Sequence, residues 1–171
     1  MRTDKTERPE IGASSLELTV EKTVQAKGLL YALPGRRGKV GFAVIETQVP
    51  VDASTYRDLC FRFFGEPSGA HYQILLKDDQ SDHPSGTLTF QSDFVATGKS
   101  ESVCLPLSDF VATIRGSQIS GFTLNRKAIR SFSIQISRSR LEEPLLSQSP
   151  LGFSFSLHGE LLFSLLRPKP K

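Results

Sequence analysis

Tryptophan is absent from this chain of 171 residues, and cysteine, histidine and tyrosine are scarce, with two, three and three copies. Two cysteines are too few for a disulfide framework, and Cys60 and Cys104 lack the close spacing of a metal or redox motif. Their apolar surroundings predict buried free thiols in a reducing compartment. His71, His83 and His158 stand far apart with no metal-ligand partner at standard spacing, so a structural role is expected for each. Long charge runs are missing too. The formal net charge is +3, and basic residues gather only in Arg36-Arg-Gly-Lys39, Arg138-Ser-Arg140 and Arg167-Pro-Lys-Pro-Lys171. Such short clusters argue against a nucleic-acid partner. No apolar run reaches about 18 residues, which argues against a membrane-spanning helix. The stretch Met1 to Glu10 mixes acids and bases without an apolar centre, so neither a secretory signal nor an organelle presequence is visible.

Catalytic signatures are equally scarce. There is no glycine-rich phosphate loop after a strand and no alternating βα pattern, which excludes Rossmann and P-loop readings. Ser102-Val-Cys104 has no nucleophile elbow around it. The acids of Asp78-Asp-Gln-Ser-Asp82 lack the glycine and ligand periodicity of a calcium loop, so a solvated hairpin loop is expected. A hydrolase using Asp78, Asp79 or Asp93 would rest on their presence alone. The expectation is therefore a protein that is not an enzyme, with no catalytic residue, no cofactor and no metal.

What the chain does contain is phenylalanine and short alternating runs. Twelve Phe point to a Phe-lined interior, since Phe carries no polar atom to satisfy. Period-two or continuous apolar runs fall at Leu16–Val20, Gly28–Leu33, Val40–Val49, Tyr56–Phe64, Tyr72–Lys77, Thr87–Val95, Ser102–Leu107, Ile129–Ile136 and Gly152–His158, the last continuing through Leu161–Leu166. Turn residues such as Gly65-Glu-Pro-Ser-Gly69 separate them, and Leu145–Pro150 reads as a surface loop. About nine runs at intervals near ten residues predict an all-β antiparallel sandwich of jelly-roll type. One domain is expected over 15–166, with a polar tail at 1–14 and a basic tail at 167–171.

The most distinctive segment is Leu105-Pro-Leu-Ser-Asp-Phe-Val-Ala-Thr-Ile-Arg-Gly116. A strand stops at Pro106, Asp109 can cap the following turn through backbone amides, and Phe110 can close over one end of the sandwich. Ser108, Asp109, Phe110, Arg115 and Gly116 are candidates for either a structural corner or a partner contact. This segment resembles the (Ile/Leu)-Pro-(Phe/Leu)-Ser-Asp-Phe-x-Pro-Thr-Phe-Arg-Gly pattern of the complex I intermediate-associated protein 30 family. The elements Gly41–Thr47, Asp52–Gly65, His71–Asp78, Leu88–Ala96, Ile129–Ser137 and Gly152–Leu157 are similar to family elements in the same order. The family's Trp in the preceding hairpin is missing here, where the chain reads Gly98-Lys-Ser-Glu-Ser102.

That resemblance implies a galactose-binding-like sandwich and a chaperone-like assembly factor. Its partners would be assembly intermediates of respiratory complex I, or other assembly factors, peripheral to the membrane. It implies the matrix side of the mitochondrion; the cytoplasm is the alternative, since no presequence is visible. The alternative function is a carbohydrate-binding module. Such sites use an aromatic platform, and the chain offers Tyr31, Tyr56 and Tyr72 but no Trp.

Overall fold

A strand in a sandwich has one face to bury and one to leave in water, so alternation along the chain becomes alternation across the sheet. Residues Tyr56–Glu66 show this: Leu59, Phe61 and Phe63 are buried while Arg62 between them is exposed. The computed structural model of the protein describes residues 2–3, 15–20, 23–30, 41–137, 140–142, 145, 150–158 and 166–168. The strands are β1 (Arg2–Thr3), β2 (Ser15–Val20), β3 (Thr23–Leu30), β4 (Phe42–Val51), β5 (Tyr56–Glu66), β6 (His71–Lys77) and β7 (Asp82–His83). They continue with β8 (Gly86–Val95), β9 (Glu101–Pro106), β10 (Val111–Ile114), β11 (Ser117–Gln118), β12 (Ile129–Ser137), β13 (Leu151–His158) and β14 (Leu166–Pro168). The 3₁₀ turn Arg126–Ala128 precedes β12.

Two antiparallel sheets form the sandwich, as the strand pattern predicts. The larger has the order β1-β4-β12-β6-β8-β10-β11, with β7 beside β8. In the smaller, β2-β3-β13 leads to β5, which carries β9 along its other edge and also pairs with β14. Nine strands have six or more residues, and they match the runs read from the sequence. β3 starts five residues earlier than its run. The short strands escape sequence reading because two to four residues are too few to show a period. The stretch expected as a polar tail contributes Arg2–Thr3 to the edge of the larger sheet. Tyr31, the Arg36–Lys39 cluster, Arg138, residues 161–165, residues 169–171 and most of the loop at 145–150 lie outside the described residues.

The interior is lined with Phe. Phe63 sits at its centre, with ring centroids 4.9 Å from Tyr72 and Phe94, 5.9 Å from Phe155 and 6.3 Å from Phe61. Gly65 leaves room for that ring, because a Cβ there would lie 2.7 Å from Phe63 Cζ. Tyr72 is fully buried, and its hydroxyl donates to the Glu66 and Ser154 carbonyls at 3.1 and 3.3 Å. Burial, reinforced by the Glu66 carboxylate, pushes its ionisation well above the ordinary tyrosine value.

Two expectations are corrected here. Cys60 and Cys104 are directly opposed in the β5–β9 ladder and form a disulfide, with Cα atoms 4.1 Å apart. Spacing along the chain hides this, since 44 residues separate two positions that only strand register brings together. The acidic loop is likewise not a uniformly solvated hairpin. Asp78 is fully buried, and its carboxylate accepts from the amides of Gln80 at 2.9 Å and Asn125 at 2.7 Å. Asp79 accepts from the Asn125 side chain at 2.8 Å, so the two acids tie the β6–β7 loop to the segment before the 3₁₀ turn. Asp82 remains exposed.

Candidate binding face

On the larger sheet the outward face of the central strands mixes serines, threonines and glutamines with Leu75 and with the charged Lys77, Glu46 and Asp93. β12 presents Ser131, Ser133, Gln135 and Ser137, because Phe132, Ile134 and Ile136 take the inward positions. Register sets Gln135 beside Gln73, and Gln73 beside Asp93. Gln135 Nε2 donates to Gln73 Oε1 at 3.1 Å, and Gln73 Nε2 donates to Asp93 Oδ1 at 2.9 Å. Arg140 reaches the same carboxylate at 3.8 Å. Two same-face positions along β12, Ser131 donates to Glu46 at 3.1 Å, and Lys77 pairs with that Glu. Thr89 and Thr113 share a hydrogen bond of 2.9 Å, and Thr113 also donates to Gln91 Oε1 at 3.4 Å.

The network closes everywhere except at its centre. Ser133 is 3% exposed and Gln91 8%, yet among the described residues the Ser133 hydroxyl and the Gln91 side-chain NH₂ make no hydrogen bond. Buried polar groups nearly always find partners, so two unsatisfied groups on one face mark a place where an external donor or acceptor would be stabilised. Phe42 and His71 stand at one end of the same face, where His71 faces Val95, itself 46% exposed. Sequence reading did not single out Gln73, Gln91, Ser133 or Gln135. Their signal was the small and amide residues at the outward positions of Ile129–Ile136, where a solvated face would carry charges.

The residues nominated from sequence lie elsewhere. The turn after β9 is closed by the Asp109 amide donating to the Pro106 carbonyl at 3.0 Å. The Asp109 carboxylate accepts from Ser108 Oγ at 2.9 Å, and both side chains are exposed. Phe110 is buried and joins the core. Arg115 and Gly116 form the two-residue link between β10 and β11, with Ile114 paired to Ser117. Both have positive φ, 52° and 79°, as the tight hairpin turn of opposite hand to type I requires. Arg115 is exposed, with its side chain over Gly86. The structure thus splits the five into a corner (Ser108, Asp109, Phe110) and a hairpin tip (Arg115, Gly116). On the smaller sheet lies an open groove of about 910 Å³, lined by Lys27, Leu29, Glu66, Ser68, Lys99 and Phe153 among others.

The two packed antiparallel sheets define a class, the jelly-roll β-sandwich. Solved structures bear this out at the level of fold. The family 11 carbohydrate-binding module from Clostridium thermocellum, in complex with a β-1,3-1,4-mixed-linked tetrasaccharide, superposes with a TM-score of 0.54 at 14% identity, covering 86% of this chain and 84% of that one. A family 30 carbohydrate-binding module gives 0.50 at 12% identity over 91% of this chain and 83% of that one. The agarase AgWH50C gives 0.54 at 15% identity; 97% of this chain matches 25% of that enzyme. No curated protein matches the sequence. The sequence pattern of the complex I intermediate-associated protein 30 family matches residues 10–149, and the chain belongs to that family.

Proposed function

We propose that the protein is a non-enzymatic assembly protein that binds an intermediate of respiratory complex I, and that it does so through the outward face of the larger sheet. The observation that carries this reading is the family match, which spans most of the sandwich. The face suits the role because its hydroxyls and amides are held in place by neighbours, so binding would cost little side-chain ordering. Its unsatisfied groups, Ser133 Oγ and the Gln91 amide, favour a partner that offers backbone or side-chain hydrogen bonds. Site of action would be the mitochondrial matrix, at the periphery of the membrane; among the described residues no helix is long and apolar enough to cross one. Affinity capture from mitochondria in gentle detergent is the test. Complex I subunits or other assembly factors should co-purify with the wild-type chain and be depleted with Gln91→Ala plus Gln73→Ala. Capture of neither would sink the reading.

Carbohydrate binding is the second reading, favoured by Phe42 standing beside a row of hydroxyls and carboxamides on this face. Titration calorimetry with a β-1,3-1,4-mixed-linked oligosaccharide decides it. A Kd below about 1 mM that is lost in Phe42→Ala supports the reading, and no heat of binding removes it.

A further inference from the structure

The disulfide of this chain sits on the solvent side of an edge strand. Leu59, Phe61 and Phe63 point into the core, so Cys60 on β5 lies on the outer side of the smaller sheet; Cys60 itself is buried, and solvent reaches the bond through Cys104 opposite it, which is exposed. Among the described residues β9 has one neighbouring strand, β5, and it anchors itself inward through Leu105 and the partly buried Val103. Immediately beyond it the chain turns at Ser108–Phe110 and crosses to the larger sheet as β10. The bond therefore staples an edge strand at the point where the chain changes sheets. Two residues along the same face stands Arg62, which has no carboxylate partner among the described residues. On its other side, Asp58 is already neutralised by a two-pronged pair with Arg57 at 2.9–3.1 Å.

We propose that Cys60 and Cys104 form a reversible redox staple that sets the order of β9 and of the corner that follows it. Closure is thiol–disulfide exchange with a low-molecular-weight disulfide. One cysteine thiolate attacks that disulfide and releases one small thiol, and the second thiolate then displaces the other. Two protein thiols are oxidised, and one small disulfide is reduced to two thiols. Opening is the reverse, driven by excess thiol or by a dithiol. In a strongly reducing compartment the staple is open; under oxidising conditions it closes and pins β9 to β5.

The full chain is equilibrated natively in glutathione buffers from fully reduced to fully oxidised, acid-quenched, denatured and alkylated with N-ethylmaleimide for mass spectrometry. Two labels are expected at the reduced end and none at the oxidised end, with the change reversed by dithiothreitol without unfolding. Amide hydrogen exchange of 101–107 should be at least about ten-fold slower in the oxidised form. The folding equilibrium should differ by roughly 30- to 1,000-fold between the forms. The double variant Cys60→Ser, Cys104→Ser should exchange like the reduced form in every buffer. Two labels under fully oxidising conditions, a disulfide that native dithiothreitol leaves intact, or equal exchange of 101–107 in both forms would each overturn the proposal.

Discussion

Arg115 is the described non-glycine residue with positive φ, and an L-residue pays about 1–2 kcal/mol for that region. Asn tolerates it better, so Arg115→Asn should raise stability by roughly 0.5–1 kcal/mol in urea unfolding if the residue serves only as a hairpin tip. A stable variant that loses partner capture would instead give Arg115 a contact role. Asp109→Ala should change stability by less than about 0.5 kcal/mol, since the group is exposed and bonded only to its neighbour Ser108. Tyr72 sets a pH dependence with a definite sign. Its native ionisation lies above the unfolded value near pH 10, so its contribution to stability is complete below about pH 10. As pH rises further the unfolded state releases the proton and the native state keeps it. Stability should then fall by up to about 1.4 kcal/mol per pH unit. Tyr72→Phe should fall less steeply over the same range, though it starts less stable because the Glu66 and Ser154 carbonyls lose their donor.

Between elements, the tightest fit is where β5 meets the Phe63 ring. A methyl at Gly65 has to displace a ring enclosed by Tyr72, Phe94 and Phe155, so Gly65→Ala should cost about 1–3 kcal/mol by thermal or urea unfolding. The loop after β6 is tied to the segment before β12 through one carboxylate. Asp78→Ala removes an acceptor from the amides of Gln80 and Asn125, and should cost roughly 2–4 kcal/mol. A loss under about 0.5 kcal/mol would mean that water replaces the carboxylate and that the tie is not structural. These ties were illegible in the sequence for a common reason. The run Asp78-Asp-Gln-Ser-Asp82 looks hydrophilic, and its burial depends on Asn125, which lies 47 residues along the chain from Asp78. The hairpin at Arg115-Gly116 was missed similarly, because Arg is an unusual first residue for a turn in which Asn or Asp usually precedes the Gly.

For the molecule as a whole, the net charge of +3 is small, and charges on the proposed contact face are paired with one another, Lys77 with Glu46 and Arg140 with Asp93. Association through that face should therefore depend weakly on salt, changing by less than about two-fold in Kd between 50 and 200 mM NaCl, whereas a charge-driven complex would weaken several-fold. Surface plasmon resonance with a captured partner measures this directly. A sandwich also has two outer faces. In this chain they differ in kind: one carries the hydrogen-bonded polar rows, the other the disulfide and the groove near Lys27 and Lys99.

The sequence by itself determined the nine long strands, the Phe-lined interior and the family, because alternation, turn residues and motif order are local and survive being read in one dimension. The tertiary structure decided everything that depends on register. Pairing β12 with β6 and β6 with β8 turns scattered Ser and Gln residues into one hydrogen-bonded face with two groups left open. Pairing β5 with β9 turns two apparently unrelated cysteines into a staple. Strand pairing joins positions tens of residues apart, and a shift of one residue would reverse which side chains face inward, so these properties belong to the fold.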